Sequence, residues 1–390
     1  KKIYANNNIR RNIIVNNSQL YFFNLNLLQN FCLYDITLCE VNKMKFVHIA
    51  DLHLDSPFTT ISDRADLGMQ RRLEQREALK KVVDFIKENG IEYLFISGDL
   101  YEQEYIREST IKYVNDLFKK IPKTKIYITP GNHDPYIKNS YYALFNWNNN
   151  VKIFTQNVEK IENEEVDIYG FGFNNFEMRE NQLENIKIEN NNKINILITH
   201  GDIIDSIYNP MNINLLKNKG FDYVALGHVH KRDDSTNIVY PGSLISLGFD
   251  ELGEHGMIVG EIINKKLFKK FIPIDNREFI EKEINISDIY SEEELIEKIN
   301  NIEQNNNLYK INLIGYRNFP ININIKLLKN NIIKIKNNTK IKKEIKENNY
   351  TLKGIFIKKL NEKKNNGEIN ENIYEKILEL GMQVLEKNNK

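Results

Sequence analysis

Val47-His48-Ile49-Ala50-Asp51-Leu52-His53-Leu54-Asp55 is an apolar run that breaks into a carboxylate and an imidazole two residues apart. Such a run reads as a buried strand, and period-two spacing lets Asp51 and His53 leave its end toward the same side. One Asp-x-His carries little weight alone. Four later strand-like runs end the same way. Tyr93 to Ser97 leads into Gly98-Asp99, and Lys125 to Thr129 into Gly131-Asn132-His133-Asp134. Ile194 to Thr199 leads into His200-Gly201-Asp202, and Tyr223 to Leu226 into Gly227-His228-Val229-His230.

Between these runs, amphipathic stretches from about Met69 to Glu88 and about Glu108 to Lys120 predict helices, the first stopped by Asn89-Gly90. Alternating strand and helix predicts an α/β fold with a largely parallel, helix-covered sheet. Ile238 to Ser243 and Gly256 to Ile263 read as hairpin-like pieces of a second sheet, giving two packed β-sheets flanked by helices. The catalytic unit is expected over residues 44–270.

Beyond about residue 270 the texture changes. Alternation in Tyr309 to Ile314 and Ile321 to Leu328, with a helix near Ser291 to Gln304, predicts a small α+β capping domain over residues 275–350. In the segment 351–390, Ile369, Ile373, Ile377, Leu380 and Val384 fall on one helical face. Such a face more often packs on its own protein than on a partner helix.

With 390 residues, 41% of them hydrophobic, the chain can bury a large core in about two or three domains. A net charge of +1 excludes nothing, but residues 321–364 carry 13 Lys against 3 Glu. A charge run of this kind is usually a solvated face; the sharper alternative is a phosphate-contacting patch. Cys32 and Cys39 both precede Met44, so no thiolate zinc site or disulfide framework supports the fold, and a reducing, cytoplasmic setting is the default. No window resembles a membrane span: Leu20 to Leu38 is interrupted by Asn24, Asn26, Gln29, Asn30 and Asp35 and lacks a clean cleavage site. Residues 1–43 read as a leader, poorly packed and dispensable, with a natural start expected at Met44.

Seven positions at strand ends offer oxygen or imidazole nitrogen: Asp51, His53, Asp99, Asn132, His200, His228 and His230. Ligands collect at the carboxyl ends of strands in open α/β sheets. The set has no sulfur, which suits Mn²⁺, Fe²⁺ or Zn²⁺. One cation seldom needs so many ligands, whereas two sharing Asp99 would use them all. A pair of divalent metal ions acidifies a water, orients it and neutralises phosphoryl charge, which is the chemistry of phosphate-ester hydrolysis. His133, beside Asn132, is the candidate general acid.

Taken together, Asp51-x-His53, Gly98-Asp99, Gly131-Asn132-His133-Asp134, His200-Gly201 and Gly227-His228-x-His230 resemble the calcineurin-like metallophosphoesterase superfamily. Ala50 to Phe58 and Tyr240-Pro241-Gly242-Ser243, followed by Gly248-Phe249-Asp250-Glu251, are similar to its bacterial DNA repair exonuclease branch, that of SbcD and YhaO. The resemblance implies a four-layer sandwich. It places Asp51, His53, Asp99 and His230 on one metal and Asp99, Asn132, His200 and His228 on the other, usually Mn²⁺, with His133 catalytic. It also implies DNA as substrate, a C-terminal segment that binds a coiled-coil ATPase of the SbcC type, and a homodimer. Archaeal and eukaryotic relatives carry a second histidine three residues after Asp99, whereas phosphatase relatives and bacterial SbcD have an acid there; this chain has Glu102, expected either to orient His133 or to be a surface carboxylate. The leading expectation is a DNA exonuclease. The alternatives are a phosphatase or nucleotide phosphodiesterase on small molecules or phosphoproteins, and a non-catalytic scaffold.

Overall fold

The computed structural model describes residues 42–61, 64–180, 182–204, 206–302, 305–341 and 351–387. The expectation of a loosely packed leader falls on residues 1–43, of which 1–41 lie outside the described residues; Lys43 itself is paired in the first strand, opposite Ile263. The catalytic part begins with β1 (Lys43–Ile49), α1 (Ala65–Asn89), β2 (Tyr93–Ser97), α2 (Glu108–Phe118), β3 (Lys125–Thr129), α3 (Tyr141–Leu144) and β4 (Val151–Ile153). It continues through β5 (Glu159–Glu162), β6 (Val166–Gly170), β7 (Ile194–His200), α4 (Ile213–Asn218), β8 (Tyr223–Gly227), β9 (Ile238–Val239), β10 (Gly256–Ile263) and β11 (Lys266–Pro273).

Two sheets result, in the orders β11-β10-β1-β2-β3-β4 and β5-β6-β7-β8-β9. Strand alternation builds the layers. Met44, Phe46, Tyr93, Phe95 and Tyr127 meet Ile168, Ile196, Ile198 and Tyr223 between the sheets. Their neighbours Val47, Ile49, Leu94, Ile96, Ile126 and Ile128 turn the other way, onto Leu79, Val83 and Ile86 of α1 and Ile111 and Val114 of α2. Leu216 of α4, with Phe171, Phe173 and Leu183 from loops, covers the far face of the second sheet. β2, β6, β7 and β8 are buried along their whole length, as strands covered on both faces must be. Gly90 closes α1 in the left-handed conformation (φ 60°) and donates to Ile86 O.

One expectation about the sheets is corrected. Gly256–Ile263 does not join the second sheet; it runs antiparallel to β1 in the first and forms a hairpin with β11. Its alternation permits either sheet, and only pairing with β1 settles the choice. Ile238–Val239 alone becomes an edge of the second sheet.

The C-terminal part comprises β12 (Phe279–Asn285), α5 (Glu292–Asn300), β13 (Leu308–Ile314), β14 (Tyr316–Arg317), β15 (Ile332–Asn337), β16 (Lys340–Ile341), α6 (Leu352–Asn365) and α7 (Glu371–Lys387). β12, β13 and β15 form a parallel sheet over which Leu295 and Ile299 of α5 pack. Ile321 to Leu328 is not a strand. Asn324 accepts from Lys326 N and starts a single 3₁₀ turn at Ile325–Leu327, while Ile321, Ile323 and Ile325 still pack on the sheet. α6 was not expected; Thr351 caps it by accepting from Gly354 N. α7 packs on α6, yet Ile373, Ile377, Leu380 and Val384 stay exposed, so its apolar face is not consumed by its own protein as anticipated. Among the described residues no helix is long and apolar enough to cross a membrane.

Two arginines tie this part to the catalytic unit. Arg71 of α1 is buried, bonds Asp275 at 2.8 Å and Ser246 O at 2.7 Å, and lies near the rings of Phe58 and Phe279. Arg64 donates to Ile325 O at 2.6 Å and Ile332 O at 3.2 Å.

His48 is an imidazole sealed between the sheets, bonded to Tyr223 Oη at 2.8 Å and Ser97 Oγ at 3.0 Å. Burial holds its pKa down at about 3, against an ordinary 6.5. The unfolded chain therefore binds the extra proton first, so stability is unaffected above pH 6.5 and is lost as pH falls toward 3, by about 1.4 kcal/mol per pH unit. His48→Gln, which keeps a neutral hydrogen-bonding side chain, should make the stability difference between pH 7 and pH 5 smaller than in the wild type by about 2 kcal/mol. Urea unfolding at the two pH values checks this; identical differences would show that His48 takes up no proton on unfolding.

Candidate metal centre

β1 and β2 stop at Ile49 and Ser97, but their pairing continues into the loops. Asp51 N donates to Gly98 O (3.2 Å), His53 N to Asp99 O (2.9 Å) and Leu54 N to Leu100 O (3.0 Å). The loops do this in a left-handed backbone, with φ of 51° at Asp51, 46° at His53 and 50° at Asp99. The expected period-two exit of Asp51 and His53 is therefore corrected: both lie beyond the strand, and corner conformations aim them. Such conformations cost about 1–3 kcal/mol each in non-glycine residues and gather at functional sites. Gly98 (φ 86°) is needed for a further reason, since a β-carbon there would collide with the His200 ring.

All seven candidate ligands come together. Asp51, His53 and His230 place ligand atoms within 4.8 Å of one another, as do Asp51, Asp99 and His200. In one half, His53 Nε2 lies 3.0 Å from His230 Nε2. In the other, Asn132 Oδ1 lies 3.1 Å from both His200 Nε2 and His228 Nδ1. Asp99 Oδ2 stands between, 3.3 Å from His200 Nε2 and 3.7 Å from His53 Nε2. Its other oxygen accepts His133 N at 2.9 Å.

The residues fit cations. His53 Nδ1 bonds Glu102 at 2.7 Å and His230 Nδ1 bonds Glu251 at 2.5 Å. A carboxylate only accepts, so each Nδ1 carries the proton and, in the neutral ring, each Nε2 presents a lone pair. Two lone pairs facing at 3.0 Å repel unless a proton or a metal cation lies between them. His200 likewise donates from Nδ1 to Ser97 O at 2.8 Å, leaving Nε2 for the centre.

Charge points the same way. Burial raises the Asp51 carboxyl, with the surrounding imidazoles opposing it. Burial acts upward on Asp99 too, but His200 beside it holds that carboxyl far below the usual carboxylate range. Burial would lower His200 and His230; Asp99 raises the first to about 9, and Glu251 with Asp51 raises the second to about 9. His228 is lowered to about 4 by burial and by His200. A site whose carboxylates pull protons onto two imidazoles holds excess negative charge, which a divalent cation satisfies.

His133 stands at the rim with its side chain 45% exposed, and its Nδ1 bonds Glu102 at 2.9 Å. Glu102 is no loose surface carboxylate: it spans His53 and His133. Burial would raise Glu102, but the two imidazoles hold it at about 2, and its bond pushes His133 up to about 9. With Nδ1 tied back, the imidazolium keeps Nε2–H for a substrate, the disposition of a general acid.

Residues 44–232 match the family described as Calcineurin-like phosphoesterase. It is similar to "Uncharacterized metallophosphoesterase YhaO" of Bacillus subtilis (strain 168), 27% identical over 245 residues, which are 58% of this chain and 60% of that protein. The matched stretch thus spans about three-fifths of the relative's length. Among solved structures, "GAP50 the anchor in the inner membrane complex of Plasmodium" is similar at a TM-score of 0.37 and 14% identity, over 59% of this chain and 84% of that one. A likeness of that degree carries no argument.

Sequence reasoning quoted Asp134 within a motif but assigned it nothing. It is buried, and its carboxylate accepts from Asp99 N (3.0 Å), Gly131 N (2.7 Å), Leu100 N (2.6 Å) and the Tyr142 hydroxyl (2.6 Å). It knots the Asp99 loop to the Asn132 loop; its place next to His133 was the only available signal. Asp134→Ala leaves these donors unpaired and should cost at least about 3 kcal/mol in urea unfolding. It should weaken Mn²⁺ binding as well, whereas a loss below about 1 kcal/mol would remove Asp134 from this role.

Proposed function

We propose that this chain, whose residues 44–232 match the Calcineurin-like phosphoesterase family, is a dinuclear metal-dependent DNA phosphodiesterase, an exonuclease of DNA repair. The observation that carries the reading is Asp99 Oδ2, one carboxylate oxygen set between two separate groups of nitrogen and oxygen donors. Asp51, His53, Asp99 and His230 would hold one ion and Asp99, Asn132, His200 and His228 the other, with Mn²⁺ the preferred metal. When bound, such a pair supplies an acidified attacking water and neutralises phosphoryl charge.

The chain's own residues do the rest. His133 donates a proton toward the leaving oxygen, and Glu102 fixes the ring that does so. Lys326, Lys334, Lys336, Lys358 and Lys359 are exposed on the C-terminal part, which supports contact with a phosphate backbone without reading bases. Leu352, Ile355, Phe356, Ile377, Leu380 and Val384 line an apolar groove of about 580 Å³ between α6 and α7. That groove supports docking of a coiled-coil ATPase of the SbcC type, laid in by the apolar face of a helix.

A second reading keeps the chemistry and changes the substrate to a small phosphate ester, because Glu102 and His133 would serve a phosphatase or nucleotide phosphodiesterase equally well. A scaffold without catalysis is disfavoured, since no candidate ligand is displaced from the centre.

His133→Ala should leave Mn²⁺ binding intact and lower turnover by about 10²-fold or more. Full activity in that variant would remove His133 from the mechanism. With Mn²⁺, the protein should degrade end-labelled single- or double-stranded DNA; hydrolysis of a chromogenic diester beside intact DNA would favour the second reading.

A further inference from the structure

We infer that Glu251 is a positioning residue for one half of the metal centre alone, the half built on His230; this rests on the metal-dependent reading above. Glu251 follows His230 by 21 residues, on the loop before β10, and its side chain is only 6% exposed. One oxygen accepts His230 Nδ1 at 2.5 Å. The other accepts Ser243 Oγ at 2.7 Å and Leu247 N at 3.0 Å. Donation from His230 Nδ1 fixes the tautomer of the neutral ring, so Nε2 is the nitrogen that faces His53 Nε2 and can bind a cation. Rotating the ring would break a buried charged hydrogen bond.

The loop that carries Glu251 is itself clamped. Ser243 N donates to His230 O at 3.0 Å, and Ser246 Oγ donates to the Glu251 carbonyl at 2.7 Å. Ser246 N donates to Asp275, which also holds Arg71, and Arg71 donates to Ser246 O. Glu251 therefore reaches His230 from a rigid support that begins in α1. Among the described residues nothing comparable joins Glu251 to the other half: His200 is oriented by the Ser97 carbonyl, and His228 meets Asn132. The predicted consequence is selective, in that losing Glu251 should loosen one metal and spare the other.

Mn²⁺ titration of the full chain, followed by calorimetry and by electron paramagnetic resonance, tests this. The wild type should bind two ions and show the signature of a coupled pair; if it binds none, the metal reading fails and not this inference. Glu251→Ala should keep one site at wild-type affinity and weaken the other by about 10- to 100-fold, with the coupled signature giving way to that of a single ion at low Mn²⁺. Glu251→Gln, which retains an acceptor for His230 Nδ1, should recover part of the lost affinity. Ser243→Ala, which removes one bond to Glu251 but none to His230, should bind both ions nearly as the wild type does. Two undiminished sites in Glu251→Ala would overturn the inference. So would equal weakening of both sites together with a lower melting temperature of the metal-free protein, since that is the mark of a merely structural residue.

Discussion

The centre depends on two loops that continue the β1–β2 pairing after both strands have ended. Backbone bonds from Asp51, His53 and Leu54 to Gly98, Asp99 and Leu100 hold those loops side by side in a left-handed conformation. Asp134 then binds the amides of Asp99, Leu100 and Gly131 to one carboxylate. Candidate ligands from three strand ends are thus fixed by main-chain geometry, so their side chains need not search for one another. The strain of the positive φ values is carried by parallel strands buried on both faces, which cannot relax without opening the core.

A second principle is that inward-facing imidazoles are held from behind. Glu102 holds His53, Glu251 holds His230 and the Ser97 carbonyl holds His200. Each outer bond places the proton on Nδ1 and turns Nε2 inward. Glu102 does this for two rings at once, since it also bonds His133, so the candidate acid and a candidate ligand share one carboxylate. A change at Glu102 would consequently be felt at both rings, His53 and His133.

The C-terminal part is not a loose appendage to this centre. Phe279, Leu308 and Ile333 belong to the same apolar core as α1 and the first sheet. Arg71 and Asp275 join that core to the loop carrying Glu251, in a buried ion pair that would be costly to break from either side. α6 and α7, by contrast, keep Leu352, Ile355, Ile373, Ile377, Leu380 and Val384 in solvent.

The sequence by itself determined the identity of the strands and of the residues at their ends. Apolar runs and the turn glycines are local signals, and Tyr93–Ser97 and Lys125–Thr129 have the bounds that their periodicity predicts. Asp51, His53, Asp99, Asn132, His200, His228 and His230 were legible for the same reason: each ends a recognisable run. Only the tertiary structure decided which sheet takes Gly256–Ile263, that Ile321 to Leu328 coils, that the corners at Asp51 and His53 are left-handed, and that Asp134 and Glu251 support the centre. His53 and His230 meet across 177 positions, and their outer carboxylates come from different loops. Contacts of that range leave no periodic trace along the chain. They arise when burial of the sheets brings distant strand ends to one rim, where hydrogen bonds between loops set what the side chains face.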